Sequence, residues 1–217
     1  MRPASSSLWL ADEFYLSAHR DYDGRPRLNT SALTLGLAGA LLAELAMHRR
    51  IRIDPQQLEL AVVSAEPPPD ATAHAVLDQL MGEPAIRSIS IWLKYLARSA
   101  DQRVAERLVR ARVVRQVATG PMWRKSMLHP PMDPNDALFP AVRVTGLAVR
   151  GVPIELPDAL LVGLAAATGL DRYLLQDVNA TGRQHLRSEV DRLPRSLWCL
   201  LVETKAVVGA AVLNRRR

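Results

Sequence analysis

The sequence predicts a mainly α-helical fold: a single compact domain in which amphipathic helices wrap a central apolar helix, with one or two small β-hairpins. Three observations favour it. The segment between residues 28 and 54 contains a mostly apolar run from Ala32 to Ala43, helix-length segments with polar starts flank it, and 48% of the 217 residues are hydrophobic. A chain of this length forms one domain of ordinary size, and we expect residues 1–217 to form it.

The central helix is predicted by residues 28–54, LNTSALTLGLAGALLAELAMHRRIRID. Polar residues 29–31 suit a helix start, and the cations at 48–50 suit the negative end of the helix dipole. A helix that is apolar on most faces is surrounded by protein or by lipid. The run from Ala32 to Ala43 is shorter than the roughly 18 residues of a membrane span. We therefore expect a buried core helix.

Turn and capping residues predict the other elements. Short strands are expected at 51–54 and 58–66 with Pro55 between them, and a hairpin over 112–128 with its turn at residues 120–121. Helices are expected at 8–19, 70–81, 86–98 and 101–111, from Pro134 onward, and at 157–170, 171–178, 181–193 and 195–213.

The charge balance indicates anionic partners. The net charge is +6 and the isoelectric point about 10.1, which favours a membrane surface, nucleic acid or a phosphorylated ligand. Cys199 is the only cysteine, which fits a reducing cytosol. The first residues lack the apolar stretch of a secretion signal, and no lipidation motif is present. We expect a cytoplasmic protein that attaches peripherally to the cytosolic face of a membrane.

Catalytic patterns are missing from the sequence. The histidines are scattered without a metal-binding spacing, and Ser196 and Cys199 have no identifiable base. Gly36 and Gly39 lie inside the central helix, where close helix packing explains them better than a phosphate-binding loop. We predict no catalytic residues, no metal, no cofactor and no enzymatic activity.

Three segments, in order, resemble the Golgi phosphoprotein 3 family. They are LWLADEFYLSAHRDYDGRPRL near the N-terminus, GLAGALLAELAMHRRIRID in the central helix, and ERLVRARVV beyond it. The most specific piece is the G-L-x-G-x-L-L-x-E-L-A pattern from Gly36 to Ala46, and the resemblance covers residues 8–212. Eukaryotic members are peripheral Golgi proteins that bind phosphatidylinositol 4-phosphate. The resemblance therefore implies a phosphoinositide-binding or anionic-lipid-binding adaptor, and we expect a prokaryotic relative.

The resemblance also implies a head-group site. Family members hold the inositol phosphate with a Trp and an Arg around the central helix and with an Arg-x-x-Arg on a later helix. These positions fall on Asn29, Ala38, Arg98 and Asp101. Only Arg98 keeps the family side chain, and Asp101 reverses the charge. Whether phosphatidylinositol 4-phosphate itself is bound stays open.

Other arginines can supply the missing charge, because guanidinium groups suit bidentate contacts with phosphate. The loop before the central helix carries three of them, and a further one lies on the predicted helix at 101–111, which follows Arg98. The predicted head-group residues are Arg98, Arg25, Arg27, Arg20 and Arg103.

Arg103, Arg107 and Arg110 fall on one face of the predicted helix at 101–111. Two interpretations stay open. The face is either solvated and partly neutralised by Asp101 and Glu106, or a cationic patch for lipid head groups, where each charge contributes about 1 kcal/mol.

The hairpin at 112–128 stands where the family carries a hydrophobic hairpin implicated in membrane insertion and self-association. An aromatic side chain beside basic groups is typical of a bilayer interface, although Trp123 tucked back onto the domain is the alternative. The predicted membrane-contacting residues are Met122, Trp123, Arg124, Lys125, Met127 and Leu128.

The leading hypothesis is thus a peripheral membrane protein that links an anionic membrane surface to a protein partner. Two alternatives stay open: a basic helical module that binds nucleic acid, and a scaffold that self-associates through the 112–128 hairpin. Acidic residues on the arginine helix and the apolar hairpin count against nucleic acid. The sequence does not name the lipid, the protein partner, the oligomeric state or the process.

Overall fold

The computed structural model describes residues 8–120 and 126–214, and this part of the chain folds into ten helices and two antiparallel two-stranded sheets. The predicted mainly α fold with small hairpins is confirmed. The helices are α1 (Leu10–Ala18), α2 (Thr30–Met47), α3 (Ala71–Gly82), α4 (Ile89–Leu96), α5 (Ala100–Arg110), α6 (Pro134–Arg150), α7 (Leu156–Thr168), α8 (Asp171–Leu174), α9 (Ala180–Asp191) and α10 (Arg195–Asn214). The strands are β1 (Ile51–Asp54), β2 (Glu59–Val62), β3 (Val117–Thr119) and β4 (Ser126–Leu128).

Helix α2 is the centre of the fold, as predicted. Its start is capped by Asn29, whose side chain accepts a hydrogen bond from the amide of Ala32 at 3.0 Å. Six helices (α1, α3, α4, α5, α7 and α10) and strand β1 pack against it, so its leucines are buried on every side. Surrounding protein therefore provides the apolar environment that its composition requires.

Two helices are long and apolar enough to cross a membrane by length and composition, Thr30–Met47 and Arg195–Leu213. In these segments 72% and 39% of the apolar window is buried inside the protein, respectively. Helix α10 packs against α2, α7 and α4. The same apolar character is what a helix of a protein core requires.

The glycines of α2 allow its neighbours to approach closely. A Cβ at Gly36 would lie 2.4 Å from Cζ of Phe14 and 2.8 Å from Cγ2 of Thr168, and one at Gly39 would lie 2.9 Å from Oγ1 of Thr204. Because real Cβ atoms do not come so close to other heavy atoms, these positions must be glycine for α1, α7 and α10 to seat against α2. This confirms the predicted packing role.

The second sheet is shorter than the predicted hairpin at 112–128. Strands β3 and β4 pair Val117 with Leu128 and Thr119 with Ser126. Closer to the domain the ladder is interrupted, because prolines 130 and 131 have no amide hydrogen to donate. Only isolated bonds continue it, from the amide of Arg115 to the carbonyl of Pro130 and from the amide of Met132 to the carbonyl of Val113.

The outer helices form a second layer beside this core. Helix α6 packs on α1, α8 and α9, and α9 also packs on α7. Asp133 caps α6 by accepting a hydrogen bond from the amide of Asn135 at 2.9 Å, with Pro134 in the first turn as predicted. The predicted helix at 171–178 is reduced to the single turn α8.

We expect Gly36→Ala to destabilise the protein. The added methyl group must displace the fully buried ring of Phe14, and such overpacking costs roughly 1–3 kcal/mol. The matched control is Gly209→Ala, at an exposed position in α10 where nothing lies within 4 Å of the new Cβ. There the better helix propensity of alanine stabilises by up to about 1 kcal/mol. Urea unfolding of both variants measures the difference, and equal stabilities would contradict the close-packing role.

Candidate anion-binding site

The loop between α1 and α2 carries three of the predicted head-group arginines in a closed conformation. The amide of Arg20 donates to the carbonyl of Arg25 at 2.9 Å, the amide of Gly24 to the carbonyl of Arg20 at 3.0 Å, and the amide of Arg27 to the carbonyl of Ala18 at 2.8 Å. These bonds hold residues 20–27 as a compact loop, the arginine loop, which returns to the end of α1.

Gly24 fixes this loop against the segment that follows β4. Its backbone has a φ of +68°, and a Cβ there would lie 2.5 Å from the amide nitrogen of Pro130 and 2.7 Å from the carbonyl carbon of His129. Glycine is required for both reasons, the left-handed backbone and the lack of space. The loop and the base of the 117–128 hairpin are therefore one contiguous surface.

Two aspartates of the loop partly neutralise its arginines. Asp23 forms ion pairs with Arg20 at 3.8 Å and Arg25 at 3.6 Å, and Asp21 pairs with Arg27 at 3.4 Å. The side chains of Arg20 and Arg25 remain 44% and 66% exposed. Ion pairs as exposed as these are weak, so both guanidinium groups can turn to an incoming anion.

Arg27 has a different role from its two neighbours. Its Nε donates to the carbonyl oxygen of His19 at 3.0 Å, and its guanidinium lies over the ring of Tyr173, 5.6 Å from the centroid. These contacts tie the loop to α1 and α8. Arg27 therefore positions the loop and is less available for a ligand than Arg20 or Arg25.

Arg98 lies in the short turn between α4 and α5 and is exposed, with its guanidinium 5.8 Å from the ring centroid of Tyr95. Arg103, one turn into α5, is half-buried and donates from Nε to Oγ of Ser99 at 3.0 Å. Arg98 is thus available to an anion, whereas the guanidinium of Arg103 already donates to the residue that precedes its helix.

Asp101 is half-buried at the start of α5, near the end of α1. Burial is the main cause that raises the pKa of Tyr15, and the negative charge of Asp101 raises it further. Burial lowers the pKa values of His19 and His129, and the charge of Asp101 opposes that shift. Its Oδ1 is buried without a hydrogen-bond partner among the described residues. The start of α5 therefore lies beside the end of α1, from which the arginine loop begins.

The two positions that the family resemblance assigned to the central helix do not form a site here. Ala38 is fully buried in the core, and the side chain of Asn29 is used to cap α2. Of the predicted head-group residues, Arg20 and Arg25 on the loop and Arg98 on the α4–α5 turn are exposed.

The interpretation of Arg103, Arg107 and Arg110 as one exposed cationic face is wrong. Arg107 is 5% exposed, and Arg110 donates to Oγ1 of Thr72 at 3.4 Å. Arg107, the middle residue of the three, points into the protein because carboxylates on three other segments converge on it. The helix therefore presents no continuous row of arginines to solvent.

Arg107 is the centre of a buried ion network. Its Nε donates to Asp12 of α1 at 2.8 Å, and its Nη1 donates to Glu44 of α2 at 3.2 Å and to Asp70 at 3.0 Å. Asp70 also caps α3 through the amide of Ala73 at 2.8 Å. The amide of Ala11 donates to Oε1 of Glu44 at 2.7 Å. One guanidinium thus joins α1, α2, α5 and the start of α3.

The network contains more carboxylates than cations, and burial shifts their titration. Burial raises the pKa of Glu44 to about 7, although Arg107 acts in the opposite direction, and burial also raises the pKa of Asp12. Burial alone would lower the pKa of Arg107, but Glu44 and Asp12 raise it above its usual value. One carboxyl of the cluster therefore carries a proton in mildly acidic solution.

Only one sequence signal indicates this network. Glu44 is an ionisable residue inside an otherwise apolar helix, and a buried charge requires a paired or hydrogen-bonded partner. The identity of that partner, 63 positions along the chain, is decided by tertiary packing.

The hairpin residues Met122, Trp123, Arg124 and Lys125 lie outside the described residues. Of the other two predicted membrane-contacting residues, Met127 is exposed and Leu128 is half-buried. Both belong to β4, next to the segment on which the arginine loop rests. Cys199, by contrast, is buried as predicted. Among the described residues no group of three or more His, Cys, Asp or Glu side chains could hold a metal ion.

Comparison with known families gives one match. The family model described as Golgi phosphoprotein 3 matches residues 10–213, nearly the whole chain. A comparison with curated proteins gives no significant match.

We expect the contribution of Glu44 to the free energy of unfolding to fall as pH rises from about 4.5 to about 7. The lowered pKa values of His19 and His129 act in the opposite direction, so the Glu44 contribution is measured as a difference between variants. In this window the folded state holds a proton that the unfolded state has released, so folding takes up a proton and each rise in pH opposes it. The slope from one such group reaches up to about 1.4 kcal/mol per pH unit.

The measurement is urea unfolding across this pH range for the natural chain and for Glu44→Gln, which removes the titrating group. The variant should lose this part of the slope, while Glu106→Gln, an exposed control on α5, should keep it. An unchanged slope in Glu44→Gln would contradict the raised pKa.

Proposed function

Since the chain belongs to the Golgi phosphoprotein 3 family, we propose that it is a peripheral membrane protein that binds anionic phospholipid head groups. The observation that carries the proposal is the exposure of Arg20 and Arg25 on the loop after α1 and of Arg98 just before α5, a helix that packs against α1. We propose the cytosolic face of a membrane as its location and a non-catalytic adaptor role, in which the bound protein presents a partner-binding surface.

The chemistry of these side chains suits lipid phosphate. A guanidinium offers a planar fork of donors that fits phosphate oxygens, and it is more weakly hydrated than an ammonium group. Three such charges contribute about 3 kcal/mol near an anionic membrane, at about 1 kcal/mol each. Reversible attachment therefore needs an additional apolar contact, for which the 117–128 hairpin with its exposed Met127 is the candidate.

The surface favours anionic lipids as a class over phosphatidylinositol 4-phosphate alone. Ala38 is buried and Asn29 caps α2, so neither offers a charge to an inositol phosphate. Asp101 places a carboxylate three residues from Arg98, at a position where a second cation would strengthen the binding of a multiply charged head group. We propose that density of negative charge, more than head-group identity, determines binding.

Nucleic acid is the weaker candidate. A protein that tracks a phosphate backbone needs several exposed cations in a row. The helix that offered such a row has Arg107 buried in an ion network and Arg103 and Arg110 engaged with Ser99 and Thr72.

The first test reverses the charge of the proposed site. In Arg20→Glu/Arg25→Glu/Arg98→Glu, three substitutions of two charges each take the net charge from +6 to zero. We expect this variant to lose co-sedimentation with phosphatidylcholine vesicles that contain phosphatidylglycerol, because the site then repels the surface. Arg27 is left in place since it supports the loop.

The matched control reverses three exposed arginines elsewhere, Arg52, Arg87 and Arg187, and has the same net charge of zero. It should keep most of the binding. Equal losses in both variants would show that only net charge matters, and retained binding in the site variant would reject the site. Vesicles with phosphatidylinositol 4-phosphate at matched surface charge determine whether the head group adds anything.

A second test concerns Asp101. We expect Asp101→Asn to strengthen binding to the phosphatidylglycerol vesicles about fivefold, since removing one repelling charge near the surface is worth about 1 kcal/mol. Glu106→Gln, which removes the same charge from an exposed position farther along α5, is the control and should change affinity less. An unaltered affinity in Asp101→Asn would place Arg98 and its neighbours away from the lipid.

A further inference from the structure

Helix α4 and the turn after it present apolar and basic side chains on one outward face. The opposite face packs against α2 and α10. The exposed side chains of the outward face are Ile91, Lys94, Tyr95 and Arg98. They stand at positions i, i+3, i+4 and i+7, which lie on one side of a helix. We call these four residues the α4 face.

The turn after α4 keeps Arg98 on this face. The amide of Ala97 donates to the carbonyl of Leu93 at 3.0 Å, and the amide of Arg98 donates to the carbonyl of Tyr95 at 3.2 Å. The chain therefore follows a helical path through residue 98. The guanidinium of Arg98 lies 5.8 Å from the ring centroid of Tyr95, so an aromatic ring and a cation are in contact at the surface.

Tyr95 is held outward by a residue of the core. Its ring meets the ring of Trp92 edge-on, with the centroids 5.5 Å apart and an interplanar angle of 85°. Trp92 is buried, and its Nε1 donates to the carbonyl of Ile86 at 2.8 Å. Because Trp92 is fixed, Tyr95 stands on it and remains 40% exposed, while Ile91 is 50% exposed.

The charges of the α4 face are not neutralised by the protein. Lys94 and Arg98 form no ion pair with the carboxylates that the structure describes, and the sequence of α4, ISIWLKYL, contains no acidic residue. The arginine loop differs, since Asp21 and Asp23 pair with its cations. The α4 face therefore combines two apolar side chains with two uncompensated positive charges.

We propose that the α4 face enters the interfacial region of an anionic bilayer, which rests on the lipid binding proposed above. Ile91 and Tyr95 are the inserted side chains, and Lys94 and Arg98 contact lipid phosphates. Tyrosine is enriched at the level of the head groups, where its ring is in the apolar layer and its hydroxyl in the polar one. The long stems of lysine and arginine lie along apolar surface while their charges reach the phosphates.

Charge complementarity favours a membrane over a second copy of the chain. Pairing of two α4 faces about a two-fold axis would bring Lys94 and Arg98 of both copies together, and like charges across an interface are repelled. Two exposed apolar side chains also cover far less than the roughly 800 Å² per partner of a stable protein interface. An anionic membrane neutralises the cations and adds attraction through the other exposed arginines.

The first experiment removes the apolar part of the face without changing its charge. Ile91→Ala/Tyr95→Ala keeps the net charge at +6, so a change in vesicle binding reports the apolar contact. We expect partitioning onto phosphatidylcholine vesicles that contain phosphatidylglycerol to fall at least about tenfold, because each large apolar side chain is worth about tenfold or more when fully buried.

The matched control is Val142→Ala/Val149→Ala, which truncates two side chains of α6 that are 66% and 74% exposed. This variant should bind the vesicles like the natural chain. Circular dichroism melts verify that both double variants are folded.

The second experiment observes insertion directly and does not depend on affinity. The full chain with Tyr95→Cys is labelled at that position with nitrobenzoxadiazole, a fluorophore that responds to its environment. Cys199 is buried and does not compete for the label. Emission should shift to shorter wavelength with the phosphatidylglycerol vesicles, and lipids spin-labelled at the head group should quench it. The same label at Val142→Cys should show neither change.

The two proposals fail in distinguishable ways. If the natural chain co-sediments with the vesicles but Ile91→Ala/Tyr95→Ala binds equally well, or the label at position 95 does not respond, the α4 face is rejected and lipid binding stands. A natural chain that co-sediments with no anionic vesicle rejects both. A shift of the label that follows protein concentration without vesicles assigns the face to a second copy and also overturns the proposal.

Discussion

The ion network around Arg107 is the interaction on which the rest of the structure depends. It joins α1, α2 and α5 and the cap of α3, four segments that are distant in the chain. A buried ion network adds little net stability over an apolar core, but removal of one partner leaves uncompensated charges and is strongly destabilising. What the network provides is therefore a defined arrangement: α5 must present Arg107 at one depth and one rotation for all three carboxylates to be reached.

The same arrangement places the proposed lipid surface. With α5 held against α1, Asp101 is close enough to act on Tyr15 and His19 at the end of α1. The arginine loop starts at that end and closes against the segment after β4, where Gly24 leaves no space for a side chain. Buried contacts therefore position both the arginine loop and the start of α5, which carry the exposed arginines that we propose for lipid binding.

Two adjacent carboxylates on α1 form ion pairs with two different arginines. Asp12 pairs with Arg107 in the core, and Glu13 pairs with Arg143 on α6. Successive residues of a helix point in different directions, so one short helix can connect the central layer with the outer one. The outer connection holds α6 with Phe139, Val142 and Val149 exposed.

The sequence by itself determined the mainly helical class, the central helix with Asn29 at its start, and the packing role of Gly36, because these follow from local periodicity, capping and side-chain size. It also determined the family, since the Golgi phosphoprotein 3 family model matches residues 10–213. Only the tertiary structure decided which arginines are buried. Arg103, Arg107 and Arg110 share one spacing, yet carboxylates from α1, α2 and the start of α3 converge on the middle one alone. Likewise, only the tertiary structure shows that the ion pairs of Arg143 hold α6 with its apolar residues Val142 and Val149 exposed. Helical periodicity reports that a face is apolar but not what covers it.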